Sequence, residues 1–201
     1  MMKKIVIFGG TFNPVHKGHR QMLDALSGIK DVDKVYVIPT KIPPHKETDF
    51  LADEQQRLHM CKLLSSHYNN VEVCDIELRR TGKSYTIDTL RVFKERFPDS
   101  SLYITIGADS VVSFTKWKNY EEILKNAGLV CFSRGDISTE QYACALDELK
   151  RNGAQILVLS NSIENISSTK IRNALKSKDD AKQYLDSDIY NYITKNRIYG
   201  E

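Results

Sequence analysis

Apolar residues gather in six short β-rich runs along the first 160 positions: "KKIVIF" near residue 5, "DKVYVIP" near 36, "NVEVCDI" near 73, "SLYITIGA" near 104, "GLVCFSR" near 131 and "AQILVLS" near 157. Between them lie amphipathic stretches, among them "DEQQRLHMCKLLSS" and "TIDTLRVFKERF", whose apolar residues recur at three- and four-residue spacing and predict helices. Strand and helix alternate as in βαβ units, which join through right-handed crossovers into a parallel sheet with helices on both faces. The expected fold is therefore α/β, a Rossmann-like doubly wound parallel sheet, with ligands at the carboxyl ends of the strands. After Ser160 the pattern changes: "SSTKIRNALKS", "DAKQYL" and "SDIYNYITKNRIYG" read as short helices with no further strand, a helical tail from about residue 161. No internal repeat, low-complexity segment or linker divides the 201-residue chain, so a single domain over 1–201 is expected.

Composition then narrows the class. The chain is 41% hydrophobic and 27% charged, the balance of a water-soluble globular protein. No apolar stretch approaches the roughly 20 residues of a membrane helix, and "MMKKIVIFGG" lacks the length and cleavage site of a signal peptide. A cytoplasmic protein with no membrane partner is expected. Basic residues outnumber acidic ones by 29 to 26 and are spread along the chain; the net charge of +3 suits small anionic substrates and does not argue for nucleic acid. Cys61, Cys74, Cys131 and Cys144 stand far apart with no CxxC pair, and read as reduced thiols, two in helices and two in strands, rather than as zinc ligands or disulfides.

The first strand runs almost at once into "GGTFNPVHKGH", Gly9 to His19. Gly9 and Gly10 let the backbone turn sharply and approach a ligand without side-chain obstruction. Asn13 followed by Pro14 is a helix-start signal, because Asn caps amides and Pro is tolerated in the first turn, so a helix is expected from near Pro14 to His16. His16 and His19, three residues apart, would then share one face of its first turns at the positive end of the dipole, a corner suited to phosphate. Both the GxGxxG fingerprint and the lysine of GxxxxGK[ST] are absent, which weakens hydride transfer and P-loop hydrolysis as readings of the glycine turn. Far downstream, Ser167 or Ser168 of "ISSTKIR" can cap a helix while Lys170 and Arg172 offer positive charge to a triphosphate.

Together these two stretches resemble the paired signatures of the nucleotidylyltransferase superfamily, (H/T)xGH in "GGTFNPVHKGH" and ISSTxxR in "ISSTKIR", Ile166 to Arg172. Three further stretches resemble the bacterial nicotinate-nucleotide adenylyltransferase family: "IPTKIPPHK" from Ile38 to Lys46, "RRTGKSYTIDTL" from Arg79 to Leu90, and "YITIGADSVVSFTKWKNYEEIL" from Tyr103 to Leu124. With the termini they cover most of the chain. Asn13 stands where the family often carries Asp, a change that removes a charge and preserves hydrogen bonding.

The resemblance implies adenylyl transfer from ATP to nicotinate mononucleotide, giving nicotinate adenine dinucleotide and pyrophosphate, a step of NAD biosynthesis. It implies catalytic roles for His16, His19, Lys46 and Arg172. ATP would be held by Gly9, Gly10, Thr11, Phe12 and both histidines on one side, and by Gly107, Asp109, Ser168, Thr169 and Arg172 on the other. The nicotinate nucleotide would meet Lys46, Thr86, Trp117, whose flat face suits a pyridinium ring, and Lys118, there through its backbone N–H. Mg²⁺ would accompany ATP, held mainly by its phosphates, with no protein metal site and no tightly bound cofactor. The implied partners are the two small-molecule substrates; homo-oligomer formation stays open. Alternatives are a superfamily adenylyltransferase acting on nicotinamide mononucleotide or phosphopantetheine, and a non-enzymatic nucleotide sensor.

Overall fold

Strand β1 (Lys4–Gly10) sends Val6 and Phe8 to one side of a sheet and Ile5 and Ile7 to the other, and all four are buried. A strand covered on both faces must be apolar almost throughout, which is why its run stood out in the sequence. A computed structural model of the chain describes residues 3–42, 51–132, 138–159, 163–164, 166–177 and 179–200. After β1 come α1 (Lys17–Ser27), β2 (Lys34–Pro39), α2 (Glu54–Ser65), β3 (Val71–Val73), α3 (Thr86–Arg96) and β4 (Ser101–Gly107). There follow α4 (Ala108–Ser113), a 3₁₀ turn (Phe114–Lys116), α5 (Tyr120–Asn126), β5 (Gly128–Phe132), α6 (Thr139–Arg151) and β6 (Ile156–Leu159). The tail is α7 (Ser168–Ser177), a 3₁₀ turn (Lys182–Tyr184) and α8 (Ser187–Lys195).

All six expected strands pair in parallel in the order β3-β2-β1-β4-β5-β6, the doubly wound arrangement. Two apolar layers cover it. One packs Met22, Leu23 and Leu26 of α1, Cys61 and Leu64 of α2, Ile171 of α7 and Ile189 of α8 against Val6, Phe8, Val35 and Val37. The other packs α3 to α6 through Leu90, Phe93, Val111, Ile123 and Leu149 against Ile5, Ile7, Ile104 and Leu129. Because the order reverses between β1 and β4, their carboxyl ends flank the crevice where such sheets bind ligands.

Two local expectations are corrected. The first helix starts at Lys17 with His16 as its cap residue, and Asn13 does not cap it; the Asn13 Oδ1 is instead taken by the Ala52 N–H at 3.0 Å and the Tyr199 hydroxyl at 2.7 Å. Cys74 lies just beyond β3 rather than in a strand. All four cysteines are free; Cys61 and Cys131 are buried, and burial pushes the Cys131 thiol up to about 12. Among the described residues no helix is long and apolar enough to cross a membrane.

Candidate active site

The end of β1 is shaped by an aromatic contact. Phe12 takes a positive φ of 51°, and its ring folds back so closely that a Cβ on Gly10 would stand 2.9 Å from it. Gly10 is therefore required by packing, whereas a Cβ on Gly9 or on Gly107 would meet nothing within 4 Å. These two glycines end adjacent strands β1 and β4, so the open space lies over the switch point. The Phe12 ring is buried edge-on to Phe8 and to His19, with centroids 5.4 and 5.0 Å away, which leaves its backbone rather than its ring for a nucleotide.

A cavity of about 550 Å³ opens from this point. Gly9, Gly10 and Thr11 line it after β1, Asp109 after β4, Thr86 at the start of α3, and Trp117 and Lys118 just before α5. Ile7, Leu90, Ile104 and Ile123 supply an apolar floor. Trp117 is half-buried, tilted against the wholly buried Phe114 at 5.0 Å between centroids. Lys118 lies beside it with its ammonium 4.3 Å from the centre of the Tyr85 ring, a cation–π contact joining the 116–118 segment to the start of α3.

His16 and His19 form a second group, on the α1 side. Their rings stack at 3.7 Å between centroids and 28° between planes, and the His16 N–H donates to the His19 Nδ1 at 3.3 Å. His16 is buried and His19 half-buried. The start of α7 is pinned to the same loop: the Ser168 hydroxyl donates to the Pro14 carbonyl at 3.2 Å and Arg172 to the Asn13 carbonyl at 2.8 Å. Arg172 also donates to the Thr169 hydroxyl at 3.2 Å. Two motifs about 150 positions apart in sequence thus meet on residues 13 and 14. Lys46 lies outside the described residues.

Three groups without a local sequence signature of a site brace these parts, the first two buried and the third half-buried. Arg57, wholly buried on α2, donates to the carbonyls of Ala52 at 3.1 Å, Thr11 at 2.9 Å and Thr40 at 2.6 Å, with Lys41 at 3.4 Å. Burial lowers its pKa below the ordinary guanidinium value. Its signal was its place in the inward stripe Arg57, Cys61, Leu64, where a charged residue needs partners. Glu77, also buried, lines the cavity and accepts from the Thr89 hydroxyl at 2.7 Å, while Arg80 donates to that hydroxyl at 2.8 Å. Burial pushes the Glu77 carboxyl above its ordinary 4.5, and hydrogen bonds from nearby hydroxyls and the Arg80 charge pull partly against that. Tyr199 is the third, through its bond to Asn13. Main-chain bonds complete the rim, from Thr40 N–H to the Gly10 carbonyl at 2.9 Å and from Ser84 N–H to the Ile42 carbonyl at 3.2 Å.

The arrangement offers an apolar, aromatic slot, a glycine-edged strand end with open backbone, and a histidine and arginine group on the loop that follows it. Among the described residues no three His, Cys, Asp or Glu side chains gather as a metal cage. Such a site can align two ligands and neutralise anionic oxygens.

Comparison with known proteins places this geometry. The model of the Cytidylyltransferase-like family matches residues 7–174. A probable nicotinate-nucleotide adenylyltransferase of Fusobacterium nucleatum is 37% identical over 196 residues, 97% of this chain and 99% of the relative. One of Clostridium tetani is 35% identical over 200 residues, 98% of this chain and all of the relative. Among solved structures, Plasmodium falciparum nicotinic acid mononucleotide adenylyltransferase complexed with NaAD superposes with a TM-score of 0.83 at 21% identity, covering 98% of this chain and 97% of that one. At that identity the likeness shows the fold alone.

Proposed function

The chain belongs to the Cytidylyltransferase-like family, and from that membership and the layout of its cavity we propose that it is a nicotinate-nucleotide adenylyltransferase, joining the AMP of ATP to nicotinate mononucleotide. The 5′-phosphate oxygen of the mononucleotide attacks the α-phosphorus of ATP. The bond from that phosphorus to the bridging oxygen breaks, and pyrophosphate leaves with the electron pair. The attacking phosphate is already anionic at neutral pH, so alignment and charge neutralisation suffice without a covalent intermediate. Mg²⁺ enters as part of the substrate MgATP, on its phosphates.

The observation that carries this reading is the joint presence, around one switch point, of a glycine-edged strand end, the His16–His19 stack with Arg172 tethered beside it, and the Thr86–Trp117 slot. His19 would meet the α-phosphate and Arg172 the outer phosphates, both favoured most when charge builds on the oxygens in the transition state. Gly9, Gly10, Thr11, Gly107, Asp109, Ser168 and Thr169 would line the ATP path, and Lys46 would reach a phosphate. The pyridine ring would stack on Trp117, with its carboxylate toward Thr86. That residue opens α3, whose cap residue Tyr85 supplies no side-chain bond to the first-turn amides, and the positive end of the helix dipole favours an anion there. This composition of the slot supports nicotinate over nicotinamide. Reaction in the cytoplasm is part of the same proposal.

Pyrophosphate release with MgATP and three acceptors in parallel tests it: nicotinate mononucleotide, nicotinamide mononucleotide and phosphopantetheine. Release with the first at well over the rate of the others is expected. Preference for phosphopantetheine, or release with none of the three, would overturn the reading.

A further inference from the structure

Two segments with left-handed backbone meet at Asn13. Phe12, just before it, has φ 51°, and at the other end of the chain Arg197 and Tyr199 have φ 51° and 76°. Bulky residues seldom adopt such values, and the strain persists only where surrounding structure imposes it, often at functional sites. Here the imposed result is a specific bond, the Tyr199 hydroxyl donating to the Asn13 Oδ1 at 2.7 Å.

Asn13 is a junction. Its Oδ1 takes the Ala52 N–H, which fixes the approach to α2, and the Tyr199 hydroxyl, which fixes the segment after α8. Its main-chain carbonyl takes Arg172 at 2.8 Å. The geometry points to Tyr199 as a positioning residue for adenylyl transfer: through Asn13 it holds the carbonyl that aims Arg172, and the loop that leads into His16. This rests on the reading given above for the site.

The bracing is firm on the Tyr199 side. The Tyr199 side chain packs against the same apolar layer as Ile189, Ile193 and Ile198. The helices on that path are sewn to α1 by Lys17 donating to the Gln183 carbonyl at 2.8 Å and by the Arg20–Asp186 ion pair at 2.7 Å. Burial raises the Tyr199 pKa, so its hydroxyl keeps its proton and remains the donor, and the nearby Arg172 and Arg57 charges pull the other way. Phenylalanine at 199 keeps the ring and the packing and removes only the donor.

The test compares wild type, Tyr199→Phe, Asn13→Ala and the double variant in steady-state pyrophosphate release. Loss of one half-buried hydrogen bond from the brace predicts that Tyr199→Phe lowers kcat by about three- to tenfold. KM for nicotinate mononucleotide should stay within about twofold, because Thr86 is held by α3 and Trp117 by Phe114, neither of them through Asn13. The double variant should turn over no more slowly than Asn13→Ala alone, since both act through one bond. A Tyr199→Phe kcat within about 1.5-fold of wild type, a change in KM alone, or multiplying effects in the double variant would each overturn the inference. If wild type fails to use nicotinate mononucleotide, the functional reading falls. The rise in Tm with MgATP then still decides this one, which requires a smaller rise in Tyr199→Phe than in wild type.

Discussion

Replacing Arg57 by methionine removes the side chain that joins the first two strand-end loops to α2. Methionine keeps much of the apolar stem and none of the donors. Three carbonyls within 3.1 Å, those of Ala52, Thr11 and Thr40, lose their partner. Ala52 is buried, so its carbonyl should carry the full cost of an unsatisfied polar group, about 1–3 kcal/mol. Thr11 and Thr40 line the cavity, where water can take over, and each should cost about 0.5–1 kcal/mol. The relief of no longer desolvating a guanidinium offsets part of this, leaving about 2–4 kcal/mol. At roughly 2–4 °C per kcal/mol for a domain of this size, Tm should fall by about 5–15 °C in thermal unfolding without ligands. Arg57→Lys, with a single donor head able to reach one or two carbonyls, should fall between the two. An Arg57→Met protein melting within about 2 °C of wild type would refute the idea that these bonds brace the site.

Other substitutions probe the remaining parts. His19→Ala should lower kcat by orders of magnitude while circular dichroism shows an intact fold; near-normal turnover would remove it from the chemistry. Lys118→Met keeps the backbone N–H that would meet the carboxylate and removes only the cation–π contact with Tyr85, so kcat/KM for nicotinate mononucleotide should stay within about twofold of wild type; a tenfold loss would show that the ammonium itself meets the substrate. For Glu77 the sign follows from a carboxyl raised by burial: the folded state holds the proton more tightly, so wild-type stability should fall as pH rises through the range just above 4.5. Glu77→Gln keeps an oxygen for the Thr89 hydroxyl, and its Tm should lack that decline; a Tm difference between the two proteins that does not vary across this range would contradict the assignment.

The sheet was legible in the sequence because doubly covered strands such as "KKIVIF" and "GLVCFSR" have almost no polar positions to blur them. The glycine turn, the paired histidines and "SSTKIR" stood out as unusual residue groupings, and the structure brings the start of α7 onto the loop between the glycines and the histidines. What escaped was reach. Arg57 looks like one more charge on an amphipathic helix, and only the fold shows that its donors end on carbonyls 5 to 46 positions away. Asn13 before a proline carries the local mark of a cap, yet a tertiary partner 186 positions distant claims its side chain. Local propensity speaks to the next few residues, and these groups answer to distant ones. Tyr199 had no pattern to mark it at all.

The contacts at residues 13 and 14 also impose an order in time. They close loops of 154, 159 and 186 positions, against the short-range turns that build each βαβ unit. A nascent chain emerging from its amino end can pair its strands in sequence, but the junction at Asn13 closes only after residue 199 has joined it, along with the apolar layer that Ile171 and Ile189 complete over Val6 and Phe8. Core and junction are therefore finished by the same late segment, and a partly made copy would expose one face of its sheet as well as an unbraced loop.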